Sequence, residues 1–356
     1  MTIKEKSSSL APYLDEAIAK KASDIHFAVG LPPTLRVDGE LKAIDEKPLT
    51  SEDTETIIGG FIGEKLKVII DETRKELDFT FSFKDSRFRT NIYYERNNLS
   101  AALRLLPSII GTFEDLGVPP IVEKFTTVAQ GLVIVTGPTG HGKSTTLAAI
   151  VDKINSERKT HIISIEDPIE YIFEHKKSII TQREVGHDTP SFSSALRAAL
   201  REDPDIVLVG EMRDLETIET VLTIAETGHL VLTTLHTNSA AQTPDRIIDV
   251  FPENQQVQVR TQLSAVLTGV ISQRLLPRVS GGRILATEIM IANPAVRATI
   301  REGKTHQLPN IIQTSASEGM VSIDKVLAEF VSRGEISIDD ALSWSNDPKQ
   351  LKTLIY

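Results

Sequence analysis

The sequence predicts an α/β chain: a smaller α+β domain over residues 1–107, a linker over 108–120 and a larger domain of parallel strands and helices over 121–356. Three observations carry this reading. Leu77, Phe79, Phe81 and Phe83 alternate with polar neighbours, the period-two mark of a half-buried strand. From Gly131 onward, apolar runs at 132–136, 161–166, 205–209 and 230–235 are separated by helical stretches, as in a parallel sheet covered on both faces. Between the two patterns, Pro107-Ser108-Ile109-Ile110-Gly111 and Pro119-Pro120 bracket a segment in which prolines stiffen the chain and stop helices, with the boundary near residue 115.

Taken in order, Leu10, Tyr13, Leu14, Ala17 and Ile18 share one face of a helix over 10–20. An extended pair, 34–37 and 40–44, is joined by Asp38-Gly39, whose tolerance of positive φ suits a tight hairpin. Thr50-x-x-Asp53 resembles a capping box opening a helix that runs to about Ile70, with Gly59-Gly60 as its weak point. Strands at 77–83, 87–95 and 99–106 complete the first domain. In the second, Leu263, Val266, Leu267, Val270 and Ile271 predict an amphipathic helix, and Gly281-Gly282 turns into a strand over 284–291. Helices over 294–302, 320–333 and 336–345 close the domain.

With 356 residues, 40% of them hydrophobic, the chain is long enough for two domains with real cores. No run approaches the ~18 apolar residues that span a bilayer, and Met1-Thr2-Ile3-Lys4-Glu5-Lys6 leads into no signal-like segment, so a cytoplasmic protein is expected. Zero cysteines exclude disulfides, thiol nucleophiles and Cys-ligated zinc. A formal net charge of −10 argues against nucleic acid as a partner, because neutralising phosphates takes a basic face.

The apolar run Leu132–Thr136 breaks into Gly137-Pro138-Thr139-Gly140-His141-Gly142-Lys143-Ser144-Thr145, and Leu147, Ile150, Val151 and Ile154 then mark one face of a helix. Strand, glycine loop and helix in this order make a P-loop. Glycines let successive N–H groups turn inward on phosphate oxygens at the positive end of the helix. Lys143 supplies charge for the β- and γ-phosphates of ATP, and Ser144 a hydroxyl for Mg²⁺.

In a parallel sheet, polar residues at the C-terminal strand ends converge on one edge. Three further strand ends qualify: Glu166-Asp167-Pro168-Ile169-Glu170, Gly210-Glu211-Met212-Arg213-Asp214, and His236-Thr237-Asn238. Hydrolysis needs carboxylates to hold Mg²⁺ through water and to orient the attacking water. Gly210 stands where a Walker B aspartate would end its strand. Glu211 is therefore read as the residue that positions or deprotonates water, with Glu166 and Asp167 around Mg²⁺ and its waters. His236 is placed as a γ-phosphate sensor, and His229 opens the same strand. Arg89 and Arg104, on adjacent strands of the first domain, are candidates for charge supplied across a subunit boundary.

These motifs, with Arg201-Glu202-Asp203-Pro204-Asp205 and Thr227-Gly228-His229-Leu230, resemble the Walker A, aspartate, Walker B and histidine boxes of secretion-type ATPases. Within that superfamily the chain is similar to the type IV pilus retraction ATPases of twitching motility, from Ala22-Ser23-Asp24-Ile25-His26 and Leu31-Pro32-Pro33 through Phe88-Arg89-Thr90-Asn91 to the helix near residue 302. The resemblance implies a PAS-like first domain, a RecA-like second domain and a homo-hexamer. It also implies a platform protein of the inner membrane as partner, the assembly ATPase as a second one, and a location at the pilus base. Arg89 and Arg104 match the paired first-domain arginines that approach the nucleotide in that superfamily.

Two positions depart from the family pattern. The helix Pro294-Ala295-Val296-Arg297-Ala298-Thr299-Ile300-Arg301-Glu302 matches the retraction family's motif in part, and His141 replaces its usual serine. The sister enzymes of pilus assembly and type II secretion resemble the chain too, but carry a longer N-terminal region and often a four-cysteine site. A nucleotide-gated scaffold that regulates another motor is the non-enzymatic alternative.

Overall fold

The computed structural model describes residues 9–37, 39–59, 76–106 and 109–355. Contacts divide the chain into two units, Met1–Ile109 with Glu170–Ile172, and Ile110–Ile169 with Phe173–Tyr356. Each unit holds one sheet.

The first sheet is antiparallel, built from β1 (Asp24–Phe27), β2 (Thr34–Val37), β3 (Glu40–Ala43), β4 (Glu76–Phe83), β5 (Ser86–Glu95) and β6 (Asn98–Leu106) in the order β3-β2-β1-β6-β5-β4. Four residues of alternation were too few to announce β1. Phe27, Phe81 and Phe88 are fully buried between the sheet and the helix Ala11–Ala19, and Phe81 stacks on Phe88 with ring centroids 5.5 Å apart. The expected capping box forms: Asp53 N–H donates to Thr50 Oγ1 at 3.2 Å, the Thr50 N–H donates to the Asp53 carboxylate at 2.9 Å, and residues 51–59 are helical. Gly60, the rest of that helix to about Ile70, Asp38 of the hairpin turn, and Pro107 and Ser108 lie outside the described residues. Within the expected linker a second reciprocal box, Thr112 with Asp115, opens the short helix Phe113–Leu116, which Gly117 closes at φ 68°.

The second sheet has seven strands: β7 (Gly131–Thr136), β8 (His161–Glu166), β9 (Ile179–Glu184), β10 (Ile206–Val209), β11 (Leu230–Leu235), β12 (Leu267–Pro277) and β13 (Arg283–Ile291). Their order is β13-β12-β7-β11-β10-β8-β9, all pairings parallel except β12 with β13. β7 lies between two parallel neighbours with helices on both faces, so Leu132, Val133, Ile134 and Val135 are all fully buried. Each contributes about 1.5–3 kcal/mol of apolar burial. β9, at the edge, is half polar and gave no apolar run.

The amphipathic helix predicted through Leu263–Ile271 is corrected. The helix Glu253–Val266 stops there, and Leu267 begins β12. Val266, Leu267, Val270 and Ile271 satisfy a helical spacing by coincidence, because a central strand is apolar on both faces. Gly269 marks the difference: a Cβ there would lie 2.4 Å from Phe125 Cζ, so the strand needs glycine to pass this ring. The far ends of β12 and β13 carry Leu276, Ile284 and Ala286 into a separate core with Ile323, Leu327, Ala341 and Leu351 of the C-terminal helices.

Candidate active site

Parallel pairing puts the ends of β7, β8, β10 and β11 on one edge of the sheet. The P-loop follows β7. Gly137 adopts φ +143°, and a Cβ on it would sit 2.3 Å from the Gln273 carbonyl, so only glycine lets the loop leave the strand beside β12. Gly142, at φ +79°, is the N-cap of the helix Lys143–Glu157. Lys143 is buried, and its Nζ donates to the carbonyls of Gly137 at 2.9 Å and Pro138 at 3.0 Å, which holds the ammonium against the loop. Ser144 and Thr145 continue the first turn of the helix.

Glu211 follows β10, one residue beyond Gly210. Gly210 has its N–H on the Ile165 carbonyl at 2.9 Å and its own carbonyl bound by Thr234 Oγ1 at 2.6 Å. These bonds tie the bend to β8 and β11. The Glu211 carboxylate lies between a guanidinium and an imidazole: Oε1 is 2.6 Å from Arg213 Nη2, and Oε2 is 3.4 Å from His236 Nε2. Partial burial and then the Lys143 ammonium hold the His236 pKa below its ordinary value, against the opposing pull of Glu211. The imidazole is therefore neutral near pH 7. Thr237 donates its N–H to Thr136 Oγ1 at 2.8 Å, which pins the segment after β11 to the end of β7. Lys143, Glu211 and His236 thus belong to one site.

Glu166 ends β8, three strands from β7 with β11 and β10 between them, where Gln182 Nε2 of β9 donates to its Oε1 at 3.4 Å. Asp167 next to it is exposed. His229 is not brought to the P-loop of its own chain. It precedes β11, whose Leu230 pairs with Gly131 at the start of β7, so the full strand, about 20 Å at ~3.3 Å per residue, separates it from the phosphate edge. There His229 Nδ1 lies 3.1 Å from both Thr227 Oγ1 and the Ile224 carbonyl.

Arg89 and Arg104 face each other across β5 and β6 in the first unit. Arg104 pairs in turn with Asp24, which pairs with Arg36, so Arg36, Asp24, Arg104 and Arg89 form one row across four strands. Arg104 Nε donates to Asp24 Oδ1 at 2.9 Å, and Arg36 Nε is 3.8 Å from the other oxygen. One carboxylate against three guanidinium groups leaves this exposed face basic.

Sequence reasoning missed Arg213 as the partner of Glu211, although it stands two residues away in the same motif. It also missed β12 as a wall of the site. Gln273 Nε2 donates to the His141 carbonyl at 2.6 Å, and Arg274 Nη2 donates to the Asn238 carbonyl at 2.8 Å. Two polar side chains inside an apolar run were the available signal, since each must find partners when buried.

The chain was compared with known proteins. The model of the family described as Type II/IV secretion system protein matches residues 4–281. The chain is 48% identical over 329 residues to a Pseudomonas aeruginosa protein named type IV pilus retractation ATPase PilT, covering 92% of this chain and 95% of that one. It is 45% identical over 311 residues to the twitching motility protein of Neisseria gonorrhoeae, covering 87% and 83% respectively. Among solved structures it matches that of the pilus retraction motor PilT with bound ADP, at a TM-score of 0.89 and 49% identity over 98% of this chain and 100% of that one.

Proposed function

The chain belongs to the type II/IV secretion system protein family, and from that premise we propose that it is the ATP-hydrolysing motor that retracts type IV pili in twitching motility. Its fold is a RecA-like P-loop domain preceded by a smaller PAS-like α+β domain. The observation that carries the enzymatic reading is the Glu211–His236 pair beside Lys143 on the phosphate edge of the sheet. The retraction task is supported by near full-length likeness to a pilus retraction motor.

Nucleotide sits with its phosphates on the loop N–H groups of Gly137–Thr145 and on Lys143. Glu211 accepts or directs the proton of the attacking water, and neutral His236 reads the γ-phosphate. Among the described residues no group of three or more His, Asp or Glu side chains could hold a metal ion by itself. That fits Mg²⁺, which binds through one or two protein oxygens together with phosphates and water. Ser144 would offer the hydroxyl, and Glu166 and Asp167 carboxylates on the same edge of the sheet; bound there, the ion would neutralise charge on the β- and γ-phosphates.

The working form is a ring of six copies on the cytoplasmic side of the inner membrane, acting on the platform protein at the pilus base, with the assembly ATPase as its counterpart. Among the described residues no helix is long and apolar enough to cross a membrane. In the ring, Arg89 and Arg104 supply positive charge to the nucleotide, which makes turnover depend on assembly. The two domains are residues 1–107 and 121–356, joined by 108–120, and nucleotide-driven closure between copies produces the motion.

Two experiments test this reading. Lys143→Ala and Glu211→Gln should each abolish most ATP turnover; full turnover in either would refute the enzymatic part. Deleting the gene should leave surface pili abundant and twitching absent, whereas loss of pili would identify an assembly motor instead.

A further inference from the structure

His141 stands between Gly140 at φ +80° and Gly142 at φ +79°, two of the three positive-φ glycines of the P-loop. It is fastened at three points. Its carbonyl accepts from Gln273 Nε2 at 2.6 Å, its ring Nδ1 accepts from the Leu275 N–H at 2.9 Å, and its ring lies 5.0 Å from that of Trp344, tilted by 59°. A backbone N–H can only donate, so Nδ1 carries no proton and the neutral Nε2–H tautomer is fixed. Burial and then the charges of Lys143, Arg283 and Arg274 hold the pKa of this ring below its usual value, in keeping with the neutral form.

Trp344 ends the helix Ile338–Trp344 and packs on the C-terminal core. The residues after it are fixed too. Ser345 Oγ donates to Asp324 Oδ1 at 2.7 Å, and Arg274 Nη2 donates to Asn346 Oδ1 at 2.6 Å. The ring of His141 therefore stands between a loop that must adjust to phosphate and a tryptophan that is held on its far side. Close-packed contacts of this kind transmit small displacements because they have no slack to absorb them.

We propose that His141 is a positioning residue that couples occupancy of the P-loop to the C-terminal helices, by carrying the loop's movement through its ring onto Trp344. This rests on the reading of the loop as the nucleotide site. The Leu275 hydrogen bond keeps the ring from rotating away, so a change at residue 141 must alter the Trp344 contact. Coupling runs both ways: if ADP binding shifts Trp344 through this contact, altering Trp344 changes ADP affinity.

The chain has one tryptophan, so emission excited selectively at tryptophan, to the red of tyrosine absorption, reports Trp344 alone. Full-length protein is titrated with ADP while emission is recorded, and ADP binding is measured separately by equilibrium dialysis. His141→Asn keeps an acceptor at the Nδ1 position, since Oδ1 of asparagine is the same number of bonds from Cα, but removes the ring. The expected result is an emission change in the parent that falls at least about fivefold in His141→Asn when the two are compared at equal ADP occupancy, set for each protein from its own dialysis curve. Trp344→Leu should shift the ADP dissociation constant at least about threefold, and this shift should vanish on the His141→Asn background. An unchanged emission response in His141→Asn, or additive effects of the two substitutions, overturns the coupling. Bound ADP with no emission change in the parent does so too. Absence of ADP binding by dialysis in the parent overturns the nucleotide reading itself, and the coupling with it.

Discussion

His236 Nε2 lies 3.4 Å from Glu211 Oε2, while the other oxygen of that carboxylate meets Arg213 Nη2 at 2.6 Å. The two contacts fix the plane of the carboxylate at the end of β10, and they do so from opposite oxygens. Arg213 is largely exposed, so its role is orientation rather than stability. Arg213→Ala should lower kcat by about tenfold, ~1.4 kcal/mol of barrier, with less than about threefold change in the KM for ATP. Glu211→Gln, which removes the carboxylate proposed to position or deprotonate water, should cost ~10²–10⁴ in kcat. Steady-state ATPase assays on the two variants separate orientation from proton transfer; equal losses would refute the distinction.

His141 and His236 both have pKa values held down, first by burial and then by Lys143. Below the unfolded value of about 6.5 the unfolded chain takes up protons that the folded chain resists. Stability is therefore fully present above that pH and is lost as pH falls toward the folded values. Urea midpoints should be flat above about pH 7 and fall as the pH drops below the ordinary histidine value of about 6.5. A His141→Asn/His236→Gln variant should show a shallower fall in that window. An equal fall in the variant would assign the pH dependence elsewhere.

The phosphate edge was legible in the sequence because it is built from local patterns: a strand, a glycine loop at fixed spacing, and carboxylates ending apolar runs. Gly137, Lys143, Glu211 and His236 all fall in such stretches. What escaped is what depends on neighbours distant in sequence. β12 read as helix because its burial on both faces erases the period of two, and His141 read only as a replacement of the loop's usual serine because Leu275 and Trp344 lie 134 and 203 residues further on. His229 looked equivalent to His236 since both flank one strand. Only strand direction puts them at opposite edges.

Gly137 and Gly140 both have positive φ, yet they should respond differently to alanine. A Cβ at Gly137 meets the Gln273 carbonyl at 2.3 Å, on a strand held by β7 and β13, whereas at Gly140 nothing lies within 4 Å. Gly140→Ala bears only backbone strain of about 1–3 kcal/mol. Gly137→Ala adds overpacking of a further ~1–3 kcal/mol and displaces the loop from β12. Equilibrium dialysis should show ADP binding weakened by less than about tenfold in Gly140→Ala and lost in Gly137→Ala. Comparable binding in the two would mean that contact with β12 does not shape the loop.

Glu288 lies buried on β13, and its burial raises its pKa against the pull of hydrogen bonds from the Ala240 N–H at 2.7 Å and the Ile323 N–H at 3.3 Å, and of the Arg274 charge. Arg274 in turn binds the Asn238 carbonyl. The segment 238–240 begins two residues after His236, so this buried group holds the turn that follows β11. Glu288→Ala removes the acceptor of two buried N–H groups and one of the two carboxylates whose charge acts on Arg274, and should destabilise by roughly 1–3 kcal/mol for each stranded N–H. The double variant Glu288→Gln/Arg274→Met removes both charges while keeping an acceptor, so it should be more stable than Glu288→Ala despite carrying one more substitution. In the double variant kcat should still fall, because Asn238 has lost its anchor. Urea unfolding with ATPase assays on the same samples checks both parts: additive stability losses would deny the pairing, and an unchanged kcat would deny its link to His236.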